Sequence, residues 1–311
     1  MVARALALVG LAALVGCETP PDEPTCGLGE LWCPSQAEAP SRRVLVIGLD
    51  GVRGDVAELA ATPAFDRLTA QGAFSYRAST QLDAATSSGP GWASILTGVD
   101  AAKHGVDSND EVATNPDYPT FMARAHDDLG LSTAAAVHWI PVQAALMEDD
   151  VVDELSVGGD EHVTDSMADL LREGDHALHF VHLDDVDHAG HENGFDPSIA
   201  EYVAAVELVD GQVGRLIDAI EARATLADED WLIALTSDHG GDLFGHGALS
   251  AEHRTIPLVF AGPLHPTAEL VPESAFEPGD GFVSHMDVHA TVMTHLGLPP
   301  DASWGLDGIA R

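Results

Sequence analysis

The chain has 311 residues, 45% of them hydrophobic, enough for one large α/β domain or two small ones. Thirteen Lys+Arg stand against fifty-one Asp+Glu, a formal net charge of −38, and Lys103 is the single lysine. This balance excludes nucleic-acid duplex binding through a basic face, and it repels anionic substrates at long range, so a site handling anions needs concentrated positive charge, for which bound divalent metals are the source.

Residues 1–16 hold one early arginine, an apolar run and small residues before Cys17, the pattern of a secretory signal too short for a membrane span. Leu14-Val15-Gly16-Cys17 is similar to the bacterial lipoprotein box, which implies a lipidated Cys17, membrane attachment through that lipid, and export to the periplasmic or surface side of the cell envelope. Residues 17–41, with prolines at 20, 21, 24, 34 and 40, read as a flexible tether. Cys26 and Cys33 inside it are the natural disulfide pair in an exported chain. A single folded domain is expected over 42–311.

Val44 to Leu49 is a continuous apolar run ending in Asp50-Gly51, a buried parallel strand with a carboxylate at its C-terminal edge, where ligands of open α/β sheets collect. Thr62 to Gly72 has a cap, a proline at the first helical position and a terminating glycine, and predicts a scaffold helix. Next comes Ser88-Gly89-Pro90-Gly91, which places the Ser88 hydroxyl at the start of a helix over about 89–96, with Trp92, Ile95 and Leu96 inward. A serine in that position is ordinarily an N-cap. The rest of the chain makes it a candidate nucleophile.

A helix is expected over 120–129 and a strand over 133–139, followed by a helix over 162–172 burying Val163, Met167, Leu170 and Leu171. A strand over 177–183 then delivers Asp184-Asp185-Val186-Asp187-His188-Ala189-Gly190-His191. A long helix over 197–223 carries Ile199, Val203, Val206, Val209, Val213, Leu216 and Ile220 at helical spacing and covers the sheet. Trp231 to Ser237 is a strand ending in Asp238-His239-Gly240-Gly241, with His246-Gly247 shortly after. Ile256 to Ala261 is a further buried strand, and Asp287 to Leu296 a closing helix ended by Gly297. Strands alternating with helices predict one α/β domain with a mostly parallel central sheet flanked by helices.

Carboxylates and imidazoles thus recur at three strand ends: Asp50, Asp187 with His191, and Asp238 with His239 and His246. Mixed His and Asp ligation suits Zn²⁺ better than Ca²⁺ or Mg²⁺, and there are ligands for two ions. With these landmarks, together with Ile-Leu-Thr-Gly and Lys-His-Gly-Val after Ser88, the chain resembles the alkaline phosphatase superfamily, in its type I phosphodiesterase/nucleotide pyrophosphatase-like branch, over about 43–298.

The resemblance implies an alkaline phosphatase-like fold and a two-metal hydrolase of phosphate monoesters or diesters, acting on a small-molecule, lipid-like or nucleotide-like substrate through a phosphoserine on Ser88. It implies that Asp50, Ser88, Asp238 and His239 surround one divalent ion, that Asp187, His191 and His246 hold the second, and that Asn109 contacts the phosphoryl oxygens. His253 and His285 compete with His246 for the third place at the second ion. His104 is expected to stabilise its loop. His182, Asp184 and Asp185 are expected to support ligands, and Trp139 to be structural or to line a leaving-group pocket.

Sulfatases share the fold, but their formylglycine motif, Cys/Ser-x-Pro-x-Arg, meets Ser88 and Pro90 here with Trp92 in place of the arginine. That substitution argues against sulfatase chemistry. A non-catalytic surface lipoprotein keeping the fold for ligand binding is the other alternative, and the complete ligand set weighs against it.

Overall fold

A computed structural model describes residues 40–81, 84–263, 265–271 and 283–311. The signal segment, Cys17 and the Cys26 and Cys33 pair lie outside the described residues. Residues 17–39 of the expected tether also lie outside the described residues, and Ser41, expected at its end, belongs to the first strand.

The strands are β1 (Ser41–Leu49), β2 (Gly72–Ser79), β3 (Thr133–Val137), β4 (Glu154–Val157), β5 (Leu178–Leu183), β6 (Glu229–Ser237), β7 (Thr255–Ala261) and β8 (Ala268–Glu269). They form one sheet of eight in the order β4-β3-β5-β1-β6-β7-β2-β8, with β7 antiparallel to both its neighbours and the other pairs parallel. β1 lies between β5 and β6, and its register pairs Leu49 with Leu183 and with Ser237. The next residue of each strand is therefore an aspartate at the same level: Asp50, Asp184 and Asp238.

Both faces of β1 are covered, which is why its sequence is apolar throughout rather than alternating. Leu45, Ile47 and Leu49 pack on one face with Val163 and Met167 of helix Asp160–Glu173 and with Val206, Val213 and Leu216 of helix Ala200–Glu221. Val44 and Val46 face the other way, toward Trp92 and Leu96 of helix Ser88–Thr97 and Val288 and Val292 of helix Asp287–Leu296. Trp92, Ile95 and Leu96 are fully buried, as their spacing predicts. Leu170, Ile199, Val203 and Leu296 are only partly buried at the margins of these two layers.

Several elements differ from expectation. Gly72 does not end the preceding helix, which stops at Thr69, but opens β2 instead. β4 has largely exposed side chains and β8 is two residues long, so neither leaves an apolar signature. The expected strand over 133–139 ends at Val137, and Trp139 caps helix Ile140–Leu146. The stretch over 120–129 is a short helix, Phe121–Ala123, continued by a π turn over Arg124–Asp128. Asp185–Asn193 is a helix, so Asp187 and His191 lie one turn apart on one side of it. No helix among the described residues is long and apolar enough to cross a membrane.

Candidate active site

Ser87 occupies the N-cap position of helix Ser88–Thr97 without a capping side-chain bond, and Ser88 opens the first turn. The Ser88 hydroxyl is not the cap its sequence position suggested; its Oγ lies 3.4 Å from His239 Nε2. The side chains that meet it come from the ends of β1 and β6, from helix Asp185–Asn193 and from the loop carrying His246.

Each of the three carboxylates has one buried oxygen without a hydrogen-bond partner. Asp50 Oδ2 accepts from Trp92 Nε1 at 2.9 Å and faces His182 Nε2 at 3.2 Å, while Oδ1 is buried without a hydrogen-bond partner. Asp238 Oδ1 accepts from the backbone N–H of Gly51 at 3.2 Å and of His239 at 2.9 Å, and its Oδ2 is bare. Asp187 Oδ2 lies 3.3 Å from His191 Nε2, and Oδ1 is bare. Buried polar atoms are ordinarily satisfied, and three orphaned anionic oxygens in one place call for a cation.

The imidazoles repeat the pattern. His191 Nδ1 contacts Phe244 O at 2.9 Å, His239 Nδ1 contacts Gly240 O at 2.8 Å and His246 Nδ1 contacts Thr86 O at 3.0 Å. A carbonyl only accepts, so each Nδ1 carries the proton and each Nε2 of the neutral ring presents a lone pair. The Nε2 atoms of His191 and His246 nevertheless face each other at 3.1 Å, and the rings of His239 and His246 stack at 3.9 Å. Facing lone pairs repel unless a cation lies between them. Carbonyls that fix the tautomer of a ligand imidazole in this way are usual at metal sites.

Electrostatics agree with the geometry. Burial and the neighbouring Asp50 and Asp184 charges push the Asp187 carboxyl up to about 9. Burial, with Asp50 and Asp187 nearby, also raises Asp238 well above the carboxylate range. Asp50 moves the other way: burial opposes its charge, but the His182 hydrogen bond, the His239 and His182 interactions and the Trp92 bond outweigh it. Burial lowers His239 to about 3 and also lowers His246, keeping both rings neutral. The donor set therefore fits divalent ions, with Asp50, Asp238 and His239 in one group and Asp187, His239 and His246 in another.

The competing histidines lie elsewhere. His253 Nδ1 accepts from Ala248 N at 3.3 Å, and His285 is fully buried with Nδ1 3.4 Å from Ser237 O. Neither belongs to a metal-sized ligand group among the described residues; nor does His191, but its Nε2 lies 3.1 Å from His246 Nε2 and 3.3 Å from Asp187 Oδ2. His104 Nε2 lies 2.9 Å from Ser94 Oγ, and its Nδ1 accepts from Val106 N at 3.1 Å, a loop-stabilising arrangement. Asn109 Oδ1 accepts from Gly89 N at 2.7 Å, placing the amide beside Ser88. Trp139 is half-buried, and its backbone N–H donates to His182 Nδ1 at 3.4 Å.

Three supports were not evident from motifs. Trp92 was expected only to face inward, yet its indole N–H holds Asp50. Thr86, two positions before Ser88, bonds the His246 ring through its carbonyl while its hydroxyl bonds Ala248 O at 2.7 Å. Tyr202 Oη donates to Gly51 O at 2.6 Å and accepts from Arg53 N at 3.1 Å, fixing the turn after Asp50. That turn needs a glycine: Gly51 has φ +70°, and a Cβ there would lie 2.8 Å from Asp187 Oδ1.

The type I phosphodiesterase/nucleotide pyrophosphatase family profile matches residues 44–244, which hold most of the described sheet and all the candidate site residues except His246. The human GPI ethanolamine phosphate transferase 2 catalytic subunit is 31% identical over 148 residues, covering 45% of this chain and 14% of the human protein. Among solved structures, human ectonucleotide pyrophosphatase/phosphodiesterase 5 superposes with a TM-score of 0.65 at 13% identity, covering 84% of this chain and 96% of that one. The phosphonate monoester hydrolase of Agrobacterium radiobacter superposes with a TM-score of 0.62 at 15% identity, covering 86% of this chain and 76% of that one. These superpositions place the fold with the alkaline phosphatase-like proteins.

Proposed function

We propose that this chain, which belongs to the type I phosphodiesterase/nucleotide pyrophosphatase family, hydrolyses phosphate esters through a phosphoserine on Ser88, with two divalent ions held by the ligands above. Family membership makes it an ester hydrolase of the alkaline phosphatase superfamily. The observation that carries the finer reading is the convergence of three bare carboxylate oxygens and three imidazole Nε2 atoms, one of which, in His239, lies 3.4 Å from the Ser88 hydroxyl.

In this reading Asp50, Ser88, Asp238 and His239 surround one ion and Asp187, His191 and His246 hold the other, a ligand set that favours zinc. When bound, the ions supply the positive charge that lowers the pKa of the Ser88 hydroxyl and offsets charge on the ester oxygens. Ser88 Oγ, its proton lost to solvent, forms a bond to phosphorus as the ester oxygen departs with its bonding pair. Water then attacks phosphorus, the P–Oγ bond breaks with its pair on Oγ, which takes up a proton to restore Ser88, and the phosphate product leaves. Asn109, whose Oδ1 is committed to Gly89 N–H, keeps its Nδ2 donors for the phosphoryl oxygens. Trp92 and His182 hold Asp50 Oδ2 so that Oδ1 faces the ion.

Trp92 also supports phosphoryl over sulfuryl transfer, because it stands where the formylglycine motif needs arginine and is already committed to Asp50. A lipid on Cys17 would tether the enzyme to the cell envelope, with its substrate a small phosphate ester, lipid-like or nucleotide-like. Transfer of the phosphoryl group to an alcohol is an alternative fate of the same intermediate, favoured by the name of the 31% identical human relative.

The test is to purify the chain, count its metals, and compare hydrolysis of an aryl phosphate monoester, an aryl diester and an aryl sulfate, with and without an added alcohol. At least two zinc-like ions, phosphoester activity abolished by chelator, and near-complete loss in Ser88→Ala are expected. Full activity in Ser88→Ala, or preference for the sulfate, overturns the reading.

A further inference from the structure

On the β3 side of Asp50 the same sheet edge carries a separate cluster that the proposed chemistry leaves unused. His138 follows β3, Asp184 follows β5, and His188 lies one helical turn beyond Asp184. One ligand atom from each lies within 4.8 Å of the others. From these three residues we infer a further divalent transition-metal site, held by His138, Asp184 and His188.

The local structure prepares His138 for this. Asp160 has a fully buried side chain; its Oδ1 accepts from Asp184 N at 2.8 Å and its Oδ2 from Asp185 N at 3.0 Å. Both oxygens are acceptors, so His138 Nδ1, 2.8 Å from Asp160 Oδ1, carries a proton, which leaves Nε2 as the nitrogen available to a metal. A carboxylate that fixes the ring and tautomer of a histidine is the support a metal-binding imidazole uses. Asp160 thereby orders Asp184 as well, through its backbone.

Asp184 supplies the second argument. Its side chain is only 8% exposed, yet the contact it makes with His188 Nε2, at 3.5 Å, is too long for an ordinary hydrogen bond. It also shares a ligand-sized group with Asp50 and His182, so its charge adds to that of Asp50. Asp160, Asp184 and Asp185 contact imidazoles and backbone N–H groups. A divalent ion at this place relieves that negative charge. Two imidazoles and one carboxylate favour zinc, nickel or manganese-like ions over calcium, and His188, with a 61% exposed side chain, leaves open positions for water.

This site shares no ligand with the two ions of the proposed function, and its test separates the two ideas. The chelator-stripped full chain is dialysed against a series of zinc concentrations and its bound zinc counted by elemental analysis, alongside His188→Ala and His138→Gln. Thermal unfolding of the metal-free proteins checks that each variant folds. Three ions in the parent and two in each variant are expected, with the visible spectrum of the cobalt-loaded parent losing one component in the variants. Two ions in all three proteins overturn this site and leave the two-ion reading intact. Three ions in all three proteins overturn it too, and no bound ion in any defeats both.

Discussion

Replacing Trp92 by phenylalanine isolates the support of Asp50 from its ligand role. The indole N–H donates to Asp50 Oδ2 at 2.9 Å in a fully buried setting, and His182 Nε2 reaches the same oxygen at 3.2 Å. A hydrogen bond to a charged group is worth about 1.5–3 kcal/mol. Losing it lets the carboxylate turn, and at 1.36 kcal/mol per tenfold the expected loss in kcat/KM is about 10- to 100-fold. Shrinking the ring also leaves space against Gly48, where a Cβ would now lie 2.5 Å from the indole, and costs about 1–2 kcal/mol of stability. The assay is steady-state hydrolysis of an aryl phosphate ester, with zinc affinity and thermal unfolding measured on the same preparation. Weaker zinc binding should accompany the rate loss, and Trp92→Phe combined with His182→Phe should lose more than either alone. Unchanged kcat/KM and zinc affinity in a folded Trp92→Phe protein refute the positioning argument.

The choice among histidines is open to a paired comparison: His246→Ala should lose an ion and at least about 100-fold in rate, whereas His253→Ala should keep the parent's full complement of ions and most of its activity. Gly91→Ala, ordinarily favourable in a helix, should be destructive here because its Cβ would sit 2.8 Å from the Asp238 Cβ; loss of phosphoester hydrolysis with the helix content retained in circular dichroism is expected. Stability should also fall with acid. Burial holds the His289 pKa down at about 4 against 6.5 for the free side chain, so the unfolded chain binds the proton first. The contribution is fully present above pH 6.5 and is lost as pH falls toward 4, by about 3 kcal/mol. Urea midpoints of the chelator-treated chain should drop between pH 7 and 4.5, with a shallower fall in His289→Phe.

The strands that build the site were legible because burial on both faces leaves uninterrupted apolar runs, as at Val44 to Leu49 and Trp231 to Ser237. β2 was not, because its sequence alternates only in part and contains Ser75, Tyr76 and Arg77 in half-exposed or bulged positions. Among candidate site residues, Asp50, Asp238 and His239 stood out because they sit in short motifs at strand ends, and Asp187 and His191 because they share one face of the helix that follows β5. What favours His246 over His253 and His285 is loop geometry: the loop over 242–249 turns His246 toward Thr86, and no local spacing encodes that contact. The Trp92 bond to Asp50 was illegible for a related reason. An inward tryptophan looks the same in sequence whether its N–H meets a carboxylate or a carbonyl, and here the partner is 42 residues away.

The covalent step is the most direct test. The chain is mixed with an excess of an aryl phosphate ester, quenched in acid within its first turnovers, digested and analysed by mass spectrometry. The account predicts a phosphate on the peptide containing Ser88, absent in Ser88→Ala and absent after chelation. Steady turnover with no phosphorylated Ser88 at any quench time, under conditions where the product burst is seen, would contradict it.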